Sequence, residues 1–202
     1  MNGKWQIAGQ AVYSRGSYKI GGSGDFRTID SIAQFYRDTL NNTAVDVKKA
    51  EKFFRIGEQS AITIAMALLI LRQSGMPQIS DFSTTAIIGY GKDGSHHGNL
   101  TYWNDYVDNG KQAGSGHLFV GTLASTPLCQ LALTLGCHAP VYYFSADRGS
   151  LALRSELEFI CDQCDNLFLM ELDVDYCNCM LLRRSNDGVG SEEIIRLLEA
   201  NK

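Results

Sequence analysis

Short apolar runs alternate along the chain with longer segments of helical periodicity. The apolar runs predict strands at residues 5–13, 86–90, 141–144, 167–174 and 176–184. Helices are predicted at 30–39, 57–73, 99–107, 126–136 and 151–161, and a last one begins at Ser191. Strands and helices therefore alternate until two strands follow one another near the end of the chain.

This alternation predicts a mostly parallel sheet, because a helix between two parallel strands returns the chain to the same edge by a right-handed crossover. The two consecutive strands at the end add one antiparallel strand, at Tyr176–Arg184. We predict an α/β fold with a five-stranded mixed sheet, mostly parallel, and helices on both faces. We expect residues 1–202 to form one domain.

Local signals mark several boundaries. Thr126 is a suitable N-cap, Pro127 takes the first helical position, and Gly136 closes that helix. Residues 16–24 are rich in glycine and serine and predict a loop.

The predicted helix at 151–161 has two different sides. Leu153 and Leu157 lie on one arc, and Arg154 and Glu158 lie on the opposite arc. Such a helix packs on one sheet and faces water or a polar interface on its other side. Leu151, Ala152 and Phe159, between the arcs, are candidates for an interface.

Composition and charge exclude some classes of function. A net charge of −4 argues against nonspecific nucleic-acid binding, which needs a basic face. The longest apolar run, 62–71, is far shorter than the roughly 20 residues that span a bilayer, so no membrane partner is expected. The first residues carry no apolar signal core, and we expect a cytoplasmic protein.

The turn between the strand at 141–144 and the next helix is the best candidate site. Enzymes place nucleophiles at such turns because the helix N-terminus offers unpaired N–H groups and a positive dipole end. The turn consists of six residues, namely Ser145, Ala146, Asp147, Arg148, Gly149 and Ser150. Asp147 and Arg148 are poor nucleophiles for acyl chemistry.

These residues resemble the beta-ketoacyl synthase (condensing enzyme) family of the thiolase superfamily. Ala139 and Pro140 match the family's Gly-Pro, Ser145 matches its first turn residue, and Arg148 falls where the family has its cysteine. Residues 120–136 are similar to its small polar turn and following helix. Residues 4–14 and 86–92 are similar to its opening strand and to the strand before its active-site loops. The chain most resembles the divergent subfamily found beside aryl polyene and flexirubin-type pigment synthases.

The resemblance implies the N-terminal half of a thiolase-like fold without its chemistry. The family's second half supplies the histidines, or a histidine and an asparagine, that polarise the thioester. None of His96, His97, His117 and His138 matches those positions. By resemblance this is a 3-oxoacyl-ACP synthase relative that lacks the catalytic cysteine and histidines, and no cofactor is implied.

Two functions remain open. In the first, the protein is a noncatalytic accessory partner, similar to a chain-length factor, in fatty acid, polyketide or aryl-polyene-type pigment biosynthesis. Its partner would be a full-length ketosynthase, an acyl carrier protein or a second copy in a homodimer. In the second, it binds acyl groups or acyl carriers, or transfers acyl groups by altered chemistry through a residual thiol or Arg148. Arg148 would then bind a phosphate or carboxylate, whereas the structural alternative is a local cap and ion pair with Asp147.

Four thiols lie close together in the sequence, at Cys161, Cys164, Cys177 and Cys179. Their spacing is compatible with zinc, with a redox pair, or with small apolar residues of the core, which is the interpretation we favour. Cys177 and Cys179 are expected on the same face of one strand.

Two further motifs have plainer explanations. His96 and His97 could bind a metal or an anion, but a solvated loop explains them as well. Residues 21–24 could cradle a phosphate, but no helix with a suitable lysine follows, and a flexible turn is the simpler interpretation.

Overall fold

One mixed sheet organises the residues described by the computed structural model, which are 4–21, 24–43, 56–74, 82–110 and 116–200, without the side chains of His97 and His117. Its strands are β1 (Trp5–Ser14), β2 (Ser17–Ile20), β3 (Arg27–Thr28), β4 (Thr85–Gly91), β5 (Val141–Ser145), β6 (Asn166–Asp173) and β7 (Tyr176–Arg184). The strand order is β3-β2-β1-β7-β6-β4-β5. β4 pairs in parallel with both β5 and β6, and the other pairs are antiparallel.

Seven helices belong to the described part of the chain. They are α1 (Ile32–Asn41), α2 (Glu58–Gln73), α3 (His96–Asn109), α4 (Gly116–Val120), α5 (Thr126–Leu135), α6 (Leu151–Ile160) and α7 (Ser191–Ala200). None of them is long and apolar enough to cross a membrane.

The prediction of a mixed sheet with helices on both faces is confirmed, but its strand number is wrong. The sheet has seven strands instead of five. Residues 16–24 contain β2, which follows β1 through a tight turn at Arg15 and Gly16, with φ angles of 46° and 77°. The glycines and serines there correctly predict a turn, but their abundance does not indicate the short strand that follows it.

The sheet is also less parallel than predicted. β7 runs antiparallel to its neighbours, as predicted, but β2 does so as well. Smaller differences concern the helices. Ser125, not Thr126, occupies the N-cap of α5, α3 begins at His96, and α4 was not predicted.

Side chains that alternate along the strands belong to two separate hydrophobic cores, one on each face of the sheet. On one face Ile87, Phe168 and Leu181 pack against α1, α2 and α5. On the other face Ile88, Leu169 and Leu182 pack against α6 and α7. We call these the α2 face and the α6 face. The period of two along each strand produces this division.

α2 is the most deeply buried helix. It packs on the sheet at β1 and β7, and α1 and α5 cover it from outside. By contrast, α6 buries only Leu153, Leu157 and Ile160, and it exposes 80% of Leu151 and 65% of Phe159. The sequence correctly indicated that α6 has a single sheet beneath it.

Candidate functional site at the turn after strand β5

The turn between β5 and α6 is closed by its own backbone and by a serine cap. The N–H of Ser150 donates to the carbonyl of Asp147 at 3.1 Å. The Ser150 hydroxyl is the N-cap of α6 and accepts from the N–H of Leu153 at 3.2 Å. Ser145, Asp147 and Gly149 are exposed, whereas Ala146, Arg148 and Ser150 are partly buried.

Arg148 folds back over the sheet and forms a mostly buried ion pair. Its Nε donates to both carboxylate oxygens of Glu171 on β6, at 2.8 and 2.6 Å. Its Nη2 donates to the Tyr176 hydroxyl at 2.7 Å, and the guanidinium lies 5.5 Å from the centroid of the Tyr176 ring. Only 13% of the Arg148 side chain and 18% of the Glu171 side chain are exposed. The turn is thereby tied to both strands of the β6–β7 hairpin.

A row of polar side chains crosses the α6 face beneath this pair. In register, Tyr90 on β4 lies opposite Glu171, and Glu171 lies opposite Asn178 on β7. Tyr90 and Asn178 are each 1% exposed, and Gln10 Nε2 donates to Asn178 Oδ1 at 3.1 Å. The Tyr90 hydroxyl, Arg148 Nη1 and Asn178 Nδ2 have no hydrogen-bond partner among the described residues.

The electrostatics keep this cluster protonated and nearly neutral. Burial, followed by the Glu171 carboxylate, raises the pKa of Tyr176 to about 12, and the same two causes raise the pKa of Tyr90 further. Glu171 balances the charge of Arg148. The arrangement can hold an oxygen acceptor, but it presents no group that loses a proton near neutral pH and could attack a thioester.

Asp147 and Arg148 do not pair with each other. Asp147 instead accepts from Lys92 Nζ at 2.9 Å, and both of these side chains are largely exposed. The hydrogen bond to Asp147 is the main cause of the raised pKa of Lys92. The N–H of Leu153 at the start of α6 donates to the Ser150 hydroxyl. Ser150, and not Asp147, therefore caps this helix.

The four neighbouring cysteines are divided between the two faces of the sheet. Cys161 and Cys164 pack in the core of the α6 face, and Cys177 and Cys179 pack in the core of the α2 face. All four are buried free thiols. The structure therefore does not bring them into one coordination sphere, because the sheet lies between the pairs.

Two of the four histidines have described side chains, and both are exposed. His96 begins α3 and is exposed, and His138 is exposed in the loop before β5. The side chains of His97 and His117 lie outside the described part of the structure, as do residues 22 and 23 of the glycine-rich segment.

Sequence reasoning missed the partners of Arg148, which are Glu171 and Tyr176, and the buried Tyr90 and Asn178. One signal was available. Glu171 interrupts the apolar run of β6, and a carboxylate in a buried strand needs a cationic partner. The sequence does not show which cation that is.

Comparison of the sequence and the structure with known proteins identifies the fold of this chain. The sequence matches no family model and no curated protein. The structure is similar to a ketosynthase in complex with its chain length factor from Xenorhabdus doucetiae, with a TM-score of 0.56 and 12% identity over 90% of this chain and 79% of that one. It is also similar to the ishigamide ketosynthase/chain length factor, with a TM-score of 0.60 and 11% identity over 93% of this chain.

A third similar structure is a type II polyketide synthase acyl-carrier protein in complex with its ketosynthase, with a TM-score of 0.58 and 10% identity over 100% of this chain. The chain has a thiolase-like ketosynthase fold. It spans 64% of the matched ishigamide chain and 61% of the matched chain in the carrier-protein complex. At these identities the likeness concerns the fold alone.

Proposed function

We propose that this protein is a noncatalytic ketosynthase-like subunit in the cytoplasm. It serves as an accessory, chain-length-factor-like partner of a condensing enzyme in fatty acid, polyketide or aryl-polyene-type pigment biosynthesis. This proposal extends the fold likeness to a role, and it depends mainly on the position and contacts of Arg148.

Arg148 supports the proposal because it occupies the turn where condensing enzymes hold their cysteine and is committed to a structural contact. Its Nε and Nη2 are bonded to Glu171 and Tyr176. A guanidinium held in this way is always protonated and does not attack a thioester.

The thiols do not offer a replacement nucleophile. Burial raises the pKa of Cys164 to about 11 and of Cys137 and Cys177 to about 12, and it raises the pKa of Cys161 and Cys179 as well. A thiol with a raised pKa has little thiolate at neutral pH. Cys129 is exposed, but it lies on α5 and not at the turn.

The partner surface that we propose lies beside the turn, on the outer side of α6 and along β5. Leu151 and Phe159 are exposed on α6, and β5 is the last strand of the sheet, with one edge unpaired among the described residues. An open strand edge next to exposed apolar side chains favours association. Val141 and Tyr143 of β5 pack against the core of the α2 face, so they lie on the other side of the sheet from Leu151 and Phe159.

Intact-protein mass spectrometry tests the absence of catalysis. The purified protein is incubated with an acyl carrier protein that bears an acyl thioester, with malonyl carrier protein as the extender. We expect neither a covalent acyl adduct nor a condensation product, while a full-length ketosynthase run in parallel forms both. An adduct at one residue, with turnover lost when that residue is replaced, would contradict the proposal.

The role as a partner requires its own measurement. Full-length ketosynthases from the genome that encodes this protein are each assayed alone and after mixing with it, by light scattering and by the length of their products. We expect a defined complex and a changed product distribution. Ketosynthases whose masses and products do not respond to this protein would exclude the accessory role.

A further inference from the structure

A second site lies on the α2 face of the sheet, opposite the face of Arg148. It is a cavity of about 650 Å³ between the N-terminus of α2, the loop after β4, the helices α4 and α5, and the β6–β7 turn. Cavities of this size bind small molecules in other proteins. Nothing in the role proposed above requires this cavity.

The walls of the cavity suit a flexible aliphatic group. The apolar side chains of its described lining are aliphatic, and Ile32, Ile62, Leu118 and Val120 are examples. No aromatic side chain is among these described residues, so they offer no platform on which a flat ring would stack.

The charges on the described lining of the cavity disfavour an anion. Glu58 and Asp175 are the only charged residues among the described lining, and both are acidic and exposed. The N-terminus of α2 contributes a positive dipole end, equivalent to roughly half a charge. Two full carboxylates outweigh that partial charge, and one of them, Glu58, lies in the first turn of the same helix.

One buried acceptor in the cavity lacks a donor. Gln130 Oε1 is shielded from solvent and accepts no hydrogen bond among the described residues. A buried carbonyl oxygen without a donor is unfavourable by about 1–3 kcal/mol. When the Gln130 amide turns toward the cavity, a ligand that donates a hydrogen bond to this oxygen removes that penalty.

We propose that this cavity binds an amphipathic small molecule with a flexible aliphatic body and a hydrogen-bond-donating head that is neutral or positively charged, such as an alcohol or an amine. It discriminates against the carboxylate with the same alkyl chain. The acidic residues at the cavity and the unpaired Gln130 oxygen account for the selectivity, and the aliphatic walls account for the affinity.

Three probes with one alkyl chain test the proposal, namely decanol, decylamine and decanoate. Calorimetric titrations near neutral pH keep decanol below its solubility limit and the two charged probes below their micelle concentrations. We expect saturable binding of decanol and decylamine, and binding of decanoate at least about tenfold weaker. Decanol is the decisive probe, because an amine also binds to an acidic protein without any site.

Two glycine variants locate the binding. Gly57 lines the cavity, has φ −64° and ψ 160°, and a Cβ there would meet no atom within 4 Å. Gly190 is a matched control, since it also lies one residue before a helix, has the same open space, and belongs to the far side of the sheet. Gly57→Phe should abolish decanol binding, and Gly190→Phe should retain it.

Further variants separate the contributions of the lining residues. Gln130→Leu should weaken the binding of decanol several-fold. The double variant Glu58→Gln, Asp175→Asn should reduce the difference in affinity between decanol and decanoate. If circular dichroism shows that Gly57→Phe is unfolded, Val120→Trp fills the cavity from its exposed rim instead. The proposal is overturned if decanol does not bind, if a folded cavity-filling variant binds it as well as the parent, or if decanoate binds equally well.

Discussion

Tyr90 on β4 lies directly opposite Glu171 on β6, and both side chains are directed to the α6 face, where Arg148 covers them. The carboxylate of Glu171, in a mostly apolar strand, thus determines where the arginine of the turn is held. The polar cluster lies beside the turn that leads into α6, where Arg148 joins β6 to β7 through Glu171 and Tyr176.

The ion pair between Arg148 and Glu171 should contribute to stability. Glu171→Gln should lower the free energy of unfolding by about 2 kcal/mol, because Arg148 would keep its charge at a mostly buried position without a carboxylate. Urea unfolding followed by circular dichroism measures the change.

Two comparisons check this interpretation. The exposed pair of Arg154 and Glu158 serves as the control, and Arg154→Gln should leave the urea midpoint nearly unchanged, because the hydrogen bond from Ser191 to Glu158 remains. The double variant Arg148→Met, Glu171→Gln should be less destabilised than the sum of its single variants, because no unpaired charge remains. Strict additivity would mean that the two residues do not act as a pair.

The protein should lose stability at alkaline pH through its buried thiols. Burial raises the pKa of Cys177 to about 12, whereas a thiol in the unfolded chain titrates near 8.5. As pH rises between these values, the unfolded state releases its proton first and is favoured. The stabilisation of the folded state by the protonated Cys177 thiol is therefore complete below about pH 8.5. Above that pH it decreases by about 1.4 kcal/mol per pH unit.

Urea midpoints at pH of about 7, 9 and 10 measure this loss. Cys177→Ala should reduce the dependence on pH, although it lowers stability at every pH by leaving a small cavity. Cys129→Ala is the matched control, because it removes an exposed thiol and leaves the buried ones in place. Equal slopes for the two variants would show that Cys177 does not titrate in this way.

The exposed apolar side chains of α6 should matter for association and not for folding. Leu151→Gln and Phe159→Gln should each leave the melting temperature close to that of the parent, because 80% and 65% of these side chains are already in water. Both should weaken the complex with a ketosynthase, or a homodimer, in titrations followed by light scattering. Val107→Gln on α3 is the control, with 60% of its side chain exposed elsewhere. If Val107→Gln weakens the complex and Leu151→Gln does not, the interface lies on α3.

Gly91 at the end of β4 should tolerate no side chain. A Cβ there would overlap the carbonyl oxygen of Leu172 and come within 2.8 Å of the Tyr143 hydroxyl. Gly91→Ala should destabilise the protein by about 1–3 kcal/mol, since backbone and strand β5 would both have to move. Gly190→Ala, with no atom within 4 Å of its Cβ, should change the melting temperature little. If Gly91→Ala and Gly190→Ala have equal melting temperatures, the end of β4 accommodates a side chain despite its close packing.

Local pattern determined much of this protein. The apolar runs located β4, β5, β6 and β7, and the two consecutive strands near the end identified β7 as antiparallel. The unequal sides of α6 were visible in the spacing of Leu153 and Leu157. These features depend on a periodicity of two or of 3.6 residues and on neighbours a few positions away, all of which are written in consecutive residues.

Tertiary structure alone decided the remaining features. The partners of Arg148 lie 23 and 28 residues further along the chain and meet it only because β6 and β7 are adjacent in the sheet. Strand parity sent Cys177 and Cys179 to one face while Cys161 and Cys164 packed on the other, and it separated Tyr143 from Leu151. Strand order and register arise from the joint burial of all the strands, so no local stretch of sequence contains them.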